Sequence, residues 1–195
     1  MKPLKAPSPQ AWVEAVLADF DAFLLDHAAA EKKASGMAMQ MVSHYPDKPE
    51  LVKEMIDLAL EEMSHFRQVA QIIYQRGLQL GADAKDPYVL NLRKLIRKYS
   101  GNGPDIYFLD RLLIGSVIEA RGCERFGRIA EALPAGHELK GFYNAIARSE
   151  SEHEGLFYQL ALKYFEQEMV ETRHDALLDA ERDIMLALPI RPILH

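Results

Sequence analysis

Two pairs of residues in this chain are spaced for metal chemistry: Glu62 with His65 in "LALEEMSHFRQVA", and Glu150 with His153 in "AIARSESEHEGLFYQLA". A step of three residues puts a carboxylate and an imidazole side by side on one face of an α-helix. Both pairs fall on the face that should be apolar. Met55, Leu58, Glu62, His65, Val69 and Ile72 follow helical steps of three and four, as do Tyr143, Ile146, Glu150, His153, Phe157 and Leu160. Each pair is therefore in line with a core stripe, whereas Glu61 lies about 100° away, where water can reach it.

Two more glutamates break apolar stripes in the same way. Glu119 stands in the series Phe108, Leu112, Gly115, Gly122, Phe126, and Glu31 stands with Leu24 and Ala34. Glu31 precedes Glu62 by 31 residues, and Glu119 precedes Glu150 by 31 residues. The chain reads as two copies of a helical hairpin, each supplying Glu and then Glu-x-x-His. Four inward carboxylates would repel one another, and each would cost several kcal/mol to desolvate. Two dications remove the objection by balancing the charge. Oxygen donors with one imidazole per ion suit iron, with manganese the second choice; structural zinc takes more Cys or His. The candidate metal ligands are Glu31, Glu62, His65, Glu119, Glu150 and His153, the pattern of di-iron carboxylate proteins. His27, one turn before Glu31, suits either a supporting partner or a hydrogen-bonded core position. Cys123 reads as a small buried residue.

The elements that must position these groups are helices. Ser8 as cap and Pro9 at the first helical position begin a helix that runs to about Ser43, with Gly36 a possible bend. Asp47 is the candidate cap of a second helix ending near Gly81, and Asp86 caps a short one over "PYVLNLRKLIRKY". A third long helix spans about Asp105 to Leu133, a fourth about His137 to Glu166, and "TRHDALLDAERDIMLAL" forms a last segment before Pro189. No strand candidate competes. The expected fold is all-α, a helical bundle in a single domain over residues 1–195.

Composition narrows the setting. The chain is 49% apolar and carries a net charge of −6, which argues against global attraction to nucleic acid. No apolar run spans a bilayer, and "MKPLKAPSPQ" lacks the hydrophobic region of a signal peptide, so a cytoplasmic protein with no membrane partner is expected. The single cysteine excludes an internal disulfide or a cysteine-bound cluster within one chain. With no glycine-rich dinucleotide loop either, electrons for redox chemistry are expected from an external donor.

The segments "HAAAEKKASGMA", "ALEEMSHFRQV", "DRLLIGSVIEARGCERF", "ARSESEHEGLFYQLA" and "RHDALLDAERDI" together resemble the MiaE family of tRNA hydroxylases, and the likeness extends over nearly the whole chain. The resemblance implies a ferritin-like four-helix bundle with an extra short helix and a C-terminal helix. It also implies a di-iron centre on the six ligands named above, which uses O2 to hydroxylate the isopentenyl group of 2-methylthio-isopentenyl-adenosine beside the anticodon of tRNA. Partners would then be tRNA, O2 and an external reductase, with the protein a monomer or dimer. An RNA partner gives meaning to a basic ridge in "NLRKLIRKY", where Arg93 and Arg97, and Lys94 and Lys98, stand four apart, followed by Arg121, Arg125 and Arg128. A solvated amphipathic helix would look the same. Phe108, Leu112, Phe126 and Phe157 suit either a hydrocarbon pocket or plain core. The alternative function is a ferritin- or rubrerythrin-like protein that oxidises iron or handles peroxide, although rubrerythrin's rubredoxin part needs cysteines absent here.

Overall fold

A computed structural model describes residues 1–97 and 103–195. Its elements are α1 (Gln10–Ala18), α2 (Phe20–His44), α3 (Pro49–Gln75), α4 (Pro87–Lys94), α5 (Gly103–Ala132), α6 (Lys140–Tyr164) and α7 (Gln167–Ala187), with no strand among the described residues. The chain divides into two compact units, one of Glu14–Ala84 with Arg191–Leu194, the other of Met1–Val13, Lys85–Ile190 and His195.

The first of these is the α2–α3 hairpin. The expected long first helix is broken at Asp19, whose carboxylate accepts a hydrogen bond from the Ala22 N–H at 3.1 Å and so begins a new helix. Gly36 does not interrupt the helix: α2 runs through it. Asp47 does not cap α3; Lys48 takes that place without a side-chain cap, and Pro49 sits where its missing N–H costs nothing. The helix stops at Gln75, earlier than expected, in a complete Schellman turn. Gly77 adopts φ 75°, its N–H bonds the Tyr74 carbonyl, and the Leu78 N–H bonds the Ile73 carbonyl. Leu51, Met55, Leu58, Val69 and Ile73 of α3 are buried with Phe23, Leu24, Ala28, Ala38 and Met41 of α2. Ser35 Oγ, buried on α2, donates to the Ala59 carbonyl of α3 at 2.8 Å.

The other unit is built on the α5–α6 hairpin. Its turn uses Gly136 at φ 86°, and Lys140 closes the end of α5 by donating from Nζ to the carbonyls of Ala130 (2.5 Å) and Leu133 (2.7 Å), a cation on the negative end of a helix. Asp86 caps α4 as expected, accepting from the Val89 N–H at 3.0 Å, but that helix ends at Lys94. Asp110, fully buried on α5, accepts from the Arg97 and Arg173 guanidiniums at 2.7–3.0 Å, tying the chain after α4 and the start of α7 to α5. Burial raises the Asp110 carboxyl, but the two arginines outweigh that and hold it below its usual range. Phe108, Leu112, Phe126 and Phe157 are all buried, with Phe126 stacked on Tyr143. No described helix is long and apolar enough to cross a membrane.

Candidate metal centre

Within the α2–α3 hairpin the stripe logic places Glu31, Glu62 and His65 inside. All three are buried, and each offers a ligand atom within 4.8 Å of the others. His65 Nδ1 lies 3.7 Å from Glu31 Oε2 and 3.7 Å from Glu62 Oε2. Burial works against charge on His65, but the two carboxylates more than offset it and push the imidazole up to about 10. Burial likewise raises Glu31, yet His27 and His65 pull it well below the usual carboxylate range. His27, completely buried, meets Glu31 Oε1 through Nε2 at 2.5 Å. His27 is thus a buried, hydrogen-bonded histidine whose partner is a candidate ligand. Glu61 is half-exposed as expected, 3.9 Å from His65 Nε2.

The α5–α6 hairpin repeats the arrangement. Glu119, Glu150 and His153 are buried, and their ligand atoms also lie within 4.8 Å of one another. Glu150 is packed against α5 at Gly122, where an added Cβ would stand 3.3 Å from its Oε2.

The donor chemistry fits iron. Each hairpin offers two carboxylates and one imidazole in a volume the size of a coordination sphere, with no sulfur donor in either triad. Each triad carries more negative charge than one imidazolium can neutralise, and apolar surroundings make that excess costly unless a cation shares it.

The basic residues divide. Arg93 and Lys94 are exposed on α4, Arg97 is engaged with Asp110, and Lys98 lies outside the described residues. Arg121 and Arg125 do not form a surface ridge: both are buried. Two steps past Glu119, Arg121 points about 200° away from it, towards α7. There it donates to Glu181 at 2.8 and 2.9 Å, to Glu124 at 3.0 Å and to the Ala6 carbonyl at 3.0 Å. Arg125 stands 4.7 Å from the centre of the Trp12 ring and donates to Ser8 Oγ at 3.0 Å. Ser8, the expected cap, instead donates its hydroxyl to Glu124 at 2.7 Å. Burial lowers Arg125 to about 10, with neighbouring Arg121 pushing the same way. Tyr88, also buried, donates to Glu181 at 3.1 Å. Glu181 and this network went unread in the sequence. Cys123 is only half-buried and lines a cavity of about 560 Å³ with Glu154 and the N-terminal segment; burial pushes its thiol up.

Comparison with known proteins agrees with this architecture. A family model described as tRNA-(MS[2]IO[6]A)-hydroxylase (MiaE) matches residues 1–195. A Pseudomonas putida protein named tRNA 2-(methylsulfanyl)-N(6)-isopentenyladenosine(37) hydroxylase is 32% identical over 93% of this chain and 86% of its own. A Salmonella typhimurium protein of the same name is 29% identical over 83% of this chain, which spans 57% of that relative. Among solved structures, a Synechococcus protein described as having aldehyde deformylating oxygenase activity superposes with a TM-score of 0.92. It is 33% identical and covers 100% of this chain and 96% of its own. The fold is thus all-α and ferritin-like.

Proposed function

Because the chain belongs to the MiaE family of tRNA hydroxylases, we propose that it hydroxylates the isopentenyl side chain of 2-methylthio-isopentenyl-adenosine in tRNA. The reaction would use O2 and two iron ions held by Glu31, Glu62, His65, Glu119, Glu150 and His153. The observation that carries this reading is the duplicated triad, two carboxylates and an imidazole converging inside each hairpin. The names of the relatives supply the substrate class.

Iron held there would supply the O2 chemistry of a monooxygenase, in which one oxygen atom ends in the product and the other in water. The chain's own residues set the conditions. Four carboxylates would balance the charge of two dications, His65 and His153 would each contribute an imidazole, and His27 would orient Glu31 through its hydrogen bond. Buried Val69, Leu112 and Phe157, on the same stripes as the ligands, keep water from the reacting centre. The net reaction consumes a pair of electrons, which a reductase outside the chain provides. Exposed Arg93 and Lys94 serve as phosphate contacts while the unpaired, modified base leaves the RNA stack for the protein.

The test is mass analysis of nucleosides from tRNA carrying 2-methylthio-isopentenyl-adenosine, after incubation with iron-loaded, reduced protein in air. The nucleoside should gain one oxygen atom, taken from labelled O2. An unchanged nucleoside pool, with O2 consumption by the same sample demonstrated, would refute the assignment.

A further inference from the structure

Helix α5 carries glycines on the same stripe as Glu119, one turn before it and one turn after it: Gly115 and Gly122. The space at each is filled by a side chain from α6. A Cβ on Gly115 would come within 3.0–3.1 Å of three ring carbons of Phe157, and a Cβ on Gly122 would stand 3.3 Å from Glu150 Oε2 and 3.7 Å from its carboxyl carbon. Gly127, on the same helix, has nothing within 4 Å of the corresponding point. Neither Gly115 nor Gly122 has a positive φ, so the backbone does not require glycine at either place. In mid-helix, glycine costs stability relative to alanine. Close approach is what these two positions offer in return.

The two approaches differ in kind. Phe157 is a fully buried ring with no room to retreat, so Gly115 serves packing. Glu150 presents the end of a flexible side chain, and that end is a candidate ligand. We propose that Gly122 is a positioning residue for the metal centre: the bare backbone of α5 lets the Glu150 carboxylate lie against the helix that carries Glu119, at the separation ligation needs. A methyl group at 122 would displace Oε2 by a few tenths of an ångström, without touching a ligand on α5 itself. This inference rests on the di-iron reading.

The experiment is anaerobic equilibrium dialysis of Fe(II) against wild type, Gly122→Ala and Gly127→Ala, with thermal melting of the metal-free forms. Gly127→Ala should melt about 2–4 °C higher than wild type from helix propensity alone and bind iron unchanged. Gly122→Ala should melt no lower than wild type when metal-free, yet hold its weaker iron about 10–100-fold less tightly, the size of effect expected when the support of a ligand is altered. A gain in metal-free stability with a loss of metal affinity is the signature of positioning. Wild-type affinity in Gly122→Ala would overturn the inference and leave the di-iron reading standing. So would a lower melting temperature of its metal-free form, because the methyl group would then disturb the fold itself. Failure of the wild-type chain to bind Fe(II) at all would overturn the di-iron reading, and the inference with it.

Discussion

In the α2–α3 hairpin an imidazole stands one turn before the first glutamate, and His27 meets Glu31 at 2.5 Å in a fully buried contact. At the matching place in the α5–α6 hairpin stands Gly115, and the space beside it holds the ring of Phe157. The two hairpins align without a gap: His27, Glu31, Glu62, His65 and Val69 fall opposite Gly115, Glu119, Glu150, His153 and Phe157. Ligand types are kept, and bulk is exchanged around them. Where one half has a large residue before its glutamate and a small one after its histidine, the other has the reverse. Cores accept such a trade when total volume is conserved. One half thus orients its carboxylate by a hydrogen bond, while the other shapes its site by close helix approach. Equal ligands with unequal support should respond unequally when that support is removed.

The largest effect tests what the halves share. Glu62→Ala and Glu150→Ala should each abolish tRNA hydroxylation, measured by nucleoside mass analysis. Both metal-free variants should melt no lower than wild type, since each loses a buried negative charge from a crowded cluster. If either variant kept hydroxylating, that half would not hold catalytic metal and the pairing of the two halves would be broken.

Next comes the hydrogen bond between His27 and Glu31 in the first half. His27→Phe keeps a ring but cannot bond Glu31, and should weaken Fe(II) binding about 10–100-fold. His27→Gln, which retains a donor, should recover part of that loss. Anaerobic titration that found His27→Phe as tight as wild type would reduce His27 to packing. In the other half the matching change is steric. Gly115→Ala should destabilise the metal-free protein by about 1–3 kcal/mol in urea unfolding, in spite of better helix propensity. Phe157→Leu in the same chain should restore most of it. Additive rather than compensating effects would show that the close contact carries no strain.

Much of this site was legible because a charged residue on an apolar stripe is conspicuous. Glu62, His65, Glu119, Glu150 and His153 all announced themselves that way, and the equal spacing of the glutamates exposed the duplication. The same logic was available on α7, where Val170, His174, Leu177, Glu181 and Met185 make a stripe with two polar members, all buried. Reading that stripe would have found Glu181 and hence a buried partner for Arg121. Nearness in sequence to Glu119 groups Arg121 and Arg125 with the surface bases, although helical geometry turns Arg121 the other way. The break at Asp19 was hidden because its hydrophobic period continues on both sides; only the aspartate's own hydrogen bond ends one helix and starts the next. Gly122 was visible as a stripe position, but its meaning depends on which α6 side chain lies opposite, and local pattern carries no such information.

The smallest effect sets two buried histidines against each other. His65 sits between two carboxylates and is pushed up to about 10, whereas His174 on α7 is pushed down to about 4, chiefly by burial. The groups facing His174 are mostly cationic: the N-terminal amine, Lys2 and Lys5 lower it further, and only Asp175 opposes them. Tyr158 stacks edge-on against its ring, 5.0 Å between centres, with no charge to share. As pH falls below about 6.5 the unfolded chain takes up a proton at this position while the folded chain stays neutral, so His174 draws stability down until pH reaches about 4. Between about pH 6 and pH 5 the loss from this one residue should be about 1 kcal/mol. Urea unfolding of wild type and His174→Gln across that interval isolates it, because every other titrating group is common to both chains. The variant should show the shallower decline. Identical slopes would mean that the ring reaches water and accepts its proton at an ordinary pH, and the contrast between the two histidines would then owe nothing to burial on α7.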